Sequence, residues 1–190
     1  MASMMTADPA SDATLELDPA SARAEPVVSP EEAREFENAA LIGGEKLRAS
    51  GYFVNVVNRQ DASPDREGMR TVMVVEDDPG TAAVIEAVLK KHGFATRVGA
   101  NLQGILRGLN ASPRPDAILL DILLPDVNGF AVLQRLRRHP ELGRIPVVML
   151  SSLSEPADVA KGLALGATGY LSKPARPQTL VEAIRGVLGL

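Results

Sequence analysis

From Thr71 to the C-terminus, short apolar runs alternate five times with segments of helix length. The runs cover 71–75, 95–98, 116–120, 146–150 and 168–171, and they are rich in Val, Ile and Leu. Most lack the polar–apolar alternation of a half-solvated strand. They read as strands buried on both faces, which is how parallel strands are used. The intervening segments, 79–92, 102–110, 130–139, 156–165 and 177–188, carry helix punctuation. Asp78-Pro79 opens the first and Gly93 closes it; Pro156 and Pro177 open the fourth and fifth, and Gly166 closes the fourth. Val84, Ile85, Val88 and Leu89 are the expected buried stripe of the first helix, and Phe130, Leu133 and Leu136 that of the third. Five such βα units in about 120 residues predict an α/β fold, a five-stranded parallel sheet with helices on both faces.

In an open sheet of this kind ligands bind beyond the carboxyl ends of the strands. Polar residues stand at those ends. Glu76, Asp77 and Asp78 follow the first run, Asp121 the third, Ser151 the fourth, and Lys173 the fifth. Asp78 serves the following helix as its N-cap. Glu76 and Asp77 are adjacent carboxylates that repel unless a cation lies between them. Hard oxygen ligands favour Mg²⁺ or Mn²⁺. Asp121 ends a buried run, a costly place for an acid without a partner. Three acids, a hydroxyl and an ammonium at one sheet edge suit metal-assisted phosphoryl transfer to an aspartate.

Composition removes several other chemistries. The 190 residues include no cysteine, so thiolate ligands, disulfides and cysteine nucleophiles are excluded. Aromatic residues are 3% and Trp is absent, which disfavours base stacking. Residues 1–70 carry 7 basic and 13 acidic side chains, and 71–190 carry 13 and 11. Neither part has the basic stripe of a direct nucleic-acid binder. No stretch is long and apolar enough to span a membrane, and the N-terminus lacks the pattern of a secretory signal; a cytoplasmic location is expected. The first strand is followed by acids where a dinucleotide-binding turn needs glycines.

The run Val74-Val75-Glu76-Asp77-Asp78 resembles the receiver domain of two-component response regulators. So do Leu120-Asp121-Ile122-Leu123-Leu124-Pro125-Asp126-Val127-Asn128-Gly129, Met149-Leu150-Ser151-Ser152 and Gly169-Tyr170-Leu171-Ser172-Lys173-Pro174. The resemblance covers residues 71–190 and implies a flavodoxin-like, doubly wound sheet of order 2-1-3-4-5. It implies that Asp121 is the phosphoacceptor, and that Glu76, Asp77, Asp121 and the Leu123 carbonyl hold Mg²⁺ or Mn²⁺. By the same resemblance Ser151 and Lys173 grip the phosphoryl group, while Ser151 and Tyr170 form a switch. Glu at 76 and Ser at 151 replace the commoner Asp and Thr. A histidine kinase or histidine phosphotransfer protein is the implied donor. A downstream effector protein is the implied recipient, with a homodimer as a further option and no enzyme activity. The alternatives are a phosphorelay intermediate, a scaffold receiver, or an aspartyl-phosphate phosphohydrolase. The last lacks a second acid at Asp121-x-Leu123. Apolar Leu123 and Leu153 imply slow loss of the phosphoryl group.

Residues 1–28 read as a disordered acidic tail. Residues 29–70 read as an extension with a linker at 60–68. Ser29-Pro30-Glu31-Glu32 starts a helix expected to run to about Ile42, with Phe36, Ala40 and Leu41 on its apolar side. Gly43-Gly44 is expected to stop it, with a second short helix at 45–50 and a strand or docking segment at 52–57. The last helix ends close to Leu190, so output is expected through a partner, a dimer or the extension.

Overall fold

Each of the five apolar runs becomes a strand in the computed structural model of the protein, which describes residues 14–54, 68–152 and 156–190. These strands are β2 (Thr71–Val75), β3 (Ala95–Gly99), β4 (Ala117–Asp121), β5 (Val147–Ser151) and β6 (Gly169–Ser172). They are parallel and lie side by side as β3-β2-β4-β5-β6, the order 2-1-3-4-5 among themselves. The central strands β2, β4 and β5 are buried at every residue, as their unbroken apolar runs require.

A sixth strand was only half legible. β1 (Tyr52–Val54) adds antiparallel to the free edge of β6, pairing Phe53 with Tyr170. The alternation of a strand sends Phe53 to one side of the sheet and Tyr52 and Val54 to the other. The rest of the expected 52–57 segment and most of the 60–68 linker lie outside the described residues.

Two apolar layers cover the sheet. On one face α4 (Pro79–Lys91) and α8 (Pro177–Leu188) bury Ile85, Leu89, Leu180, Ile184 and Val187 against β2, β4 and β5. Asp78 caps α4 by accepting from Thr81 N at 2.7 Å. The expected stripe of α4 is corrected at one position: Val84 is exposed and Ala82 is buried in its layer. On the other face lie α5 (Leu102–Asn110), α6 (Gly129–Arg137) and α7 (Pro156–Ala164). The α6 stripe is Phe130, Leu133 and Leu136, all buried.

Arg137, at the end of α6, sets the spacing of this face. It donates to the carbonyls of Gly166 (2.9 Å), Gly143 (3.1 Å) and Ile145 (2.9 Å), tying α6 to the lead-ins of β5 and β6. Burial lowers its pKa to about 10, while three carbonyl acceptors favour the charged form. Arg137→Met keeps the stem and strands three carbonyls. It is expected to cost about 3 kcal/mol in urea unfolding, since each orphaned buried acceptor costs about 1–3 kcal/mol and relaxation recovers part. A loss under about 1 kcal/mol would mean that water replaces the guanidinium.

The N-terminal region departs most from expectation. Residues 14–28 are not a free tail. α1 (Pro19–Arg23) and its flanks bury Leu15, Leu17 and Ala22 in the α5–α6–α7 layer. Leu15 N donates to Asn110 Oδ1 at 2.8 Å, and Arg135 Nε donates to Glu16 O at 3.2 Å. α2 (Pro30–Glu35) starts with a reciprocal Ser29–Glu32 capping box, as its sequence requires. The helix breaks at Phe36, and α3 (Glu37–Ser50) then runs through Gly43-Gly44 without stopping.

The two glycines act as a contact surface. Ala40, Gly43, Gly44 and Leu47 form one buried stripe of α3, packed along α7. A Cβ on Gly43 would lie 2.9 Å from Phe53 Cδ1 and 3.2 Å from Val159 Cγ1. Each glycine costs the helix about 1 kcal/mol relative to Ala, and close helix approach offsets that cost. Leu41, expected on the apolar side, is half exposed; Phe36 is partly buried and Ala40 buried.

Candidate phosphoacceptor site

Strand register brings the predicted residues together. Val75 pairs with Leu120, so Glu76 and Asp121 extend from adjacent strand ends. Asp121 pairs with Leu150, which puts Ser151 one step beyond it, and Ser151 pairs with Ser172, directly before Lys173. Carboxylate oxygens of Glu76, Asp77 and Asp121 all lie within 4.8 Å of one another. Glu76 and Asp121 are buried at 1% and 3% exposure, and Asp77 is exposed.

Lys173 Nζ bonds Asp121 Oδ2 and stands 2.9 Å from Glu76 Oε2, in ion-pair reach but without hydrogen-bond geometry. Lys173 N donates to Ser151 O at 2.8 Å, and the Lys173–Pro174 peptide is cis. Burial pushes the Glu76 carboxyl up, and the nearby Lys173 ammonium only partly opposes it. Burial would lower Lys173, but its bond to Asp121 and the negative charge of Glu76 beside it outweigh this and raise it. Three carboxylates therefore face one ammonium. That donor set, all hard oxygens with excess negative charge, fits a divalent cation.

The loop after β4 is folded back on the site. Leu123 N donates to Asp121 Oδ1 at 3.1 Å, Leu123 bridges to Asn128, and Asn128 caps α6 through Phe130 N. The Leu123 side chain is 61% exposed beside the acid. Leu153, its expected counterpart, lies outside the described residues. An open cleft lined by Asp78, Thr81, Val84, Leu150, Lys173 and Pro174 adjoins the carboxylates. Val84 left the α4 stripe to form its apolar rim.

Tyr170 lies fully buried on β6 with its hydroxyl donating toward Asp158 O (3.2 Å) and Val159 O (3.3 Å) of α7. Burial, then the Asp158 charge, raises its pKa far above the phenol range. Two contacts escaped sequence reasoning. Asn128 N donates to Ala22 O at 2.7 Å, and Ser172 N donates to Gly51 O at 2.8 Å. One joins the loop after β4, and the other the end of β6, to the N-terminal region. A local signal was present for the second alone: a glycine ending a helix before a short apolar run.

Comparison with known proteins agrees with this geometry. The family model of the response regulator receiver domain matches residues 72–185. The DNA-binding response regulator MtrA of Mycolicibacterium smegmatis is 38% identical over 120 residues, covering 62% of this chain and 50% of MtrA. Protein PilH of Pseudomonas aeruginosa is 32% identical over 120 residues, 63% of this chain and 98% of PilH. The chain thus spans about half the length of MtrA and nearly all of PilH. A putative response regulator from Chloroflexus aurantiacus superposes with a TM-score of 0.60 at 32% identity, covering 64% of this chain and 99% of that one. The receiver domain of sensor histidine kinase PA1611 from Pseudomonas aeruginosa superposes at 0.57 with 27% identity, covering 65% of this chain and all of that one. Its structure has a magnesium ion coordinated in the active-site cleft. Residues 14–54 fall outside the family match. By the span from 72 to 185, the chain belongs to the response regulator receiver domain family.

Proposed function

We propose that Asp121 accepts a phosphoryl group from phosphohistidine on a histidine kinase or histidine phosphotransfer protein. The resulting acyl phosphate switches the face made by α7, β6 and α8 for a downstream effector or a second copy, in the cytoplasm and without further enzymatic chemistry. One observation carries the reading: Lys173 Nζ bonds Asp121 at a strand end where Glu76 and Asp77 crowd the same carboxylate.

An Asp121 oxygen forms the new bond to phosphorus. The phosphorus–nitrogen bond breaks, and the imidazole leaves with its electron pair and takes up a proton. Lys173 transfers its N–H donors from the carboxylate to a phosphoryl oxygen, and Ser151 donates its hydroxyl to another. Mg²⁺ or Mn²⁺, held by Glu76, Asp77, Asp121 and the Leu123 carbonyl, would supply charge neutralisation at the transferring group. The product adds about −1.5 to −2 charges. Ser151 moves toward that charge, and Tyr170 follows into the space it leaves.

The test is uptake of one hydroxylamine-labile phosphoryl group from a small phosphodonor such as acetyl phosphate. Uptake is expected with Mg²⁺ or Mn²⁺ and not with a chelator; labelling unaffected by the chelator removes the metal role. Loss of the group is expected to be slow, over many minutes, because exposed Leu123 offers an attacking water no polar partner. Leu123→Asn should shorten the lifetime several-fold. An unchanged decay would take this role away from position 123.

A further inference from the structure

The N-terminal region is fastened on both sides of Asp121, to the loop after β4 and to the last residue of β6. On one side Ala22 O accepts from Asn128 N, and Arg23 Nε donates to Asp126 O at 3.2 Å. That loop begins at Leu123, whose own N–H reaches Asp121 Oδ1. On the other side Gly51 O accepts from Ser172 N at 2.8 Å and from Ser172 Oγ at 3.2 Å. The next residue is Lys173, which bonds Asp121. Between the two fastenings, α3 lies along α7 and β1 covers the edge of β6, with Phe53 opposite Tyr170.

The Gly51–Ser172 bond continues the β1–β6 ladder, but covering that edge does not require the bonds of Ala22 and Arg23 to the loop after β4. Ser172 immediately precedes Lys173, and Asn128 bridges to Leu123; Lys173 and Leu123 both contact the Asp121 carboxylate. A phosphoryl group on the carboxylate would draw both contacts toward its oxygens. A move of Lys173 toward that charge would pull on the adjoining Ser172 amide, which Gly51 O holds. The Tyr170 hydroxyl is held by two carbonyls of α7, on the helix whose Val159 meets Gly43 of α3. Movement of that ring strips α7 of both bonds and disturbs the surface on which α3 rests.

We propose that residues 14–54 form a phosphorylation-sensitive clasp, docked on α7 and β6 in the unphosphorylated protein and loosened by a phosphoryl group on Asp121. This rests on the phosphoacceptor reading above. The extension is then this receiver's own first partner, and loosening frees the α7–β6 face together with the stripe Ala40, Gly43, Gly44 and Leu47. Linkage makes the coupling reciprocal: weakening the clasp strengthens occupancy of the site by the same factor.

The experiment is amide hydrogen exchange on the full chain, with and without Mg²⁺ and beryllium fluoride as the phosphoryl mimic. Filling the site should speed exchange across 40–54 and at Asn128 and Ser172 by about tenfold, within the usual range of coupling between sites. Gly43→Leu, which wedges α3 from Phe53 and Val159, should lower the half-saturating beryllium fluoride concentration. Phe53→Ala gives the same readout should the bulkier change prevent folding. Fluorine-19 resonances report separately whether the site is filled. A filled site with unchanged or slower exchange across 40–54 overturns the clasp and leaves the phosphoacceptor reading standing. Absence of both beryllium fluoride binding and acyl phosphate overturns that reading and the clasp with it.

Discussion

The Asp121→Asn variant is expected to take up no phosphoryl group, while keeping its fold and nearly all of its stability. The amide has the shape of the carboxylate but is not a nucleophile at phosphorus. Two electrostatic changes oppose each other. Lys173 loses a charged partner, yet it keeps Glu76 at 2.9 Å. The crowding of three carboxylates within 4.8 Å is relieved. With both terms of similar size, urea unfolding should shift by no more than about 1 kcal/mol. Intact-mass analysis after exposure to a small phosphodonor reads the uptake. Labelling of this variant at the wild-type rate would move the phosphoacceptor to another side chain.

Gly162→Ala is expected to expel the Tyr170 ring from its place under α7. The new Cβ would fall 1.6 Å from the Tyr170 hydroxyl oxygen and 2.8 Å from Cζ, so helix and ring cannot both stay where they are. Helix propensity favours the change by about 1 kcal/mol. Overpacking of a dense core costs about 1–3 kcal/mol, occasionally more, so the net effect is destabilising. The protein has two tyrosines and no tryptophan. Near-UV circular dichroism therefore reads Tyr170 against only Tyr52 and the phenylalanines, and it should lose much of its intensity. Tyr170→Phe removes the atom that clashes hardest. The double variant should be more stable than the sum of the single changes predicts, by about 0.5 kcal/mol or more. Additive costs would mean that the hydroxyl contact is not the source of the strain.

The parts of this fold that could be read in the sequence are those whose burial is decided locally. A run such as Ala117-Ile118-Leu119-Leu120 admits one environment, and it lies at zero exposure between two helix layers. The polar residue after each run then marks a strand end, and parallel register does the rest. Residues 14–54 follow a different logic. Leu15, Leu17 and Ala22 are few and set in polar sequence, and they are buried only because α5, α6 and α7 present a surface to them. Gly43-Gly44 carries the local signal of a helix stop, and the opposing surface of Phe53 and Val159 overrides it. The Ala22–Asn128 bond uses backbone groups alone and leaves no trace in side-chain identity, whereas the Gly51–Ser172 contact is marked by the helix-ending glycine.

The pairing of β1 with β6 also bears on how the chain is made. Gly51 and Ser172 are 121 residues apart. The extension leaves the ribosome before the strand edge and the helix that receive it. Leu47 and Phe53 must therefore wait, without their final cover, until α7 and β6 have emerged. Contacts of such sequence separation slow folding and prolong the exposure of apolar surface. The acidic character of residues 1–70 gives the waiting segment a charge that discourages association. Docking of α3 and β1 then follows the synthesis of α7 and β6 and closes the edge of the sheet.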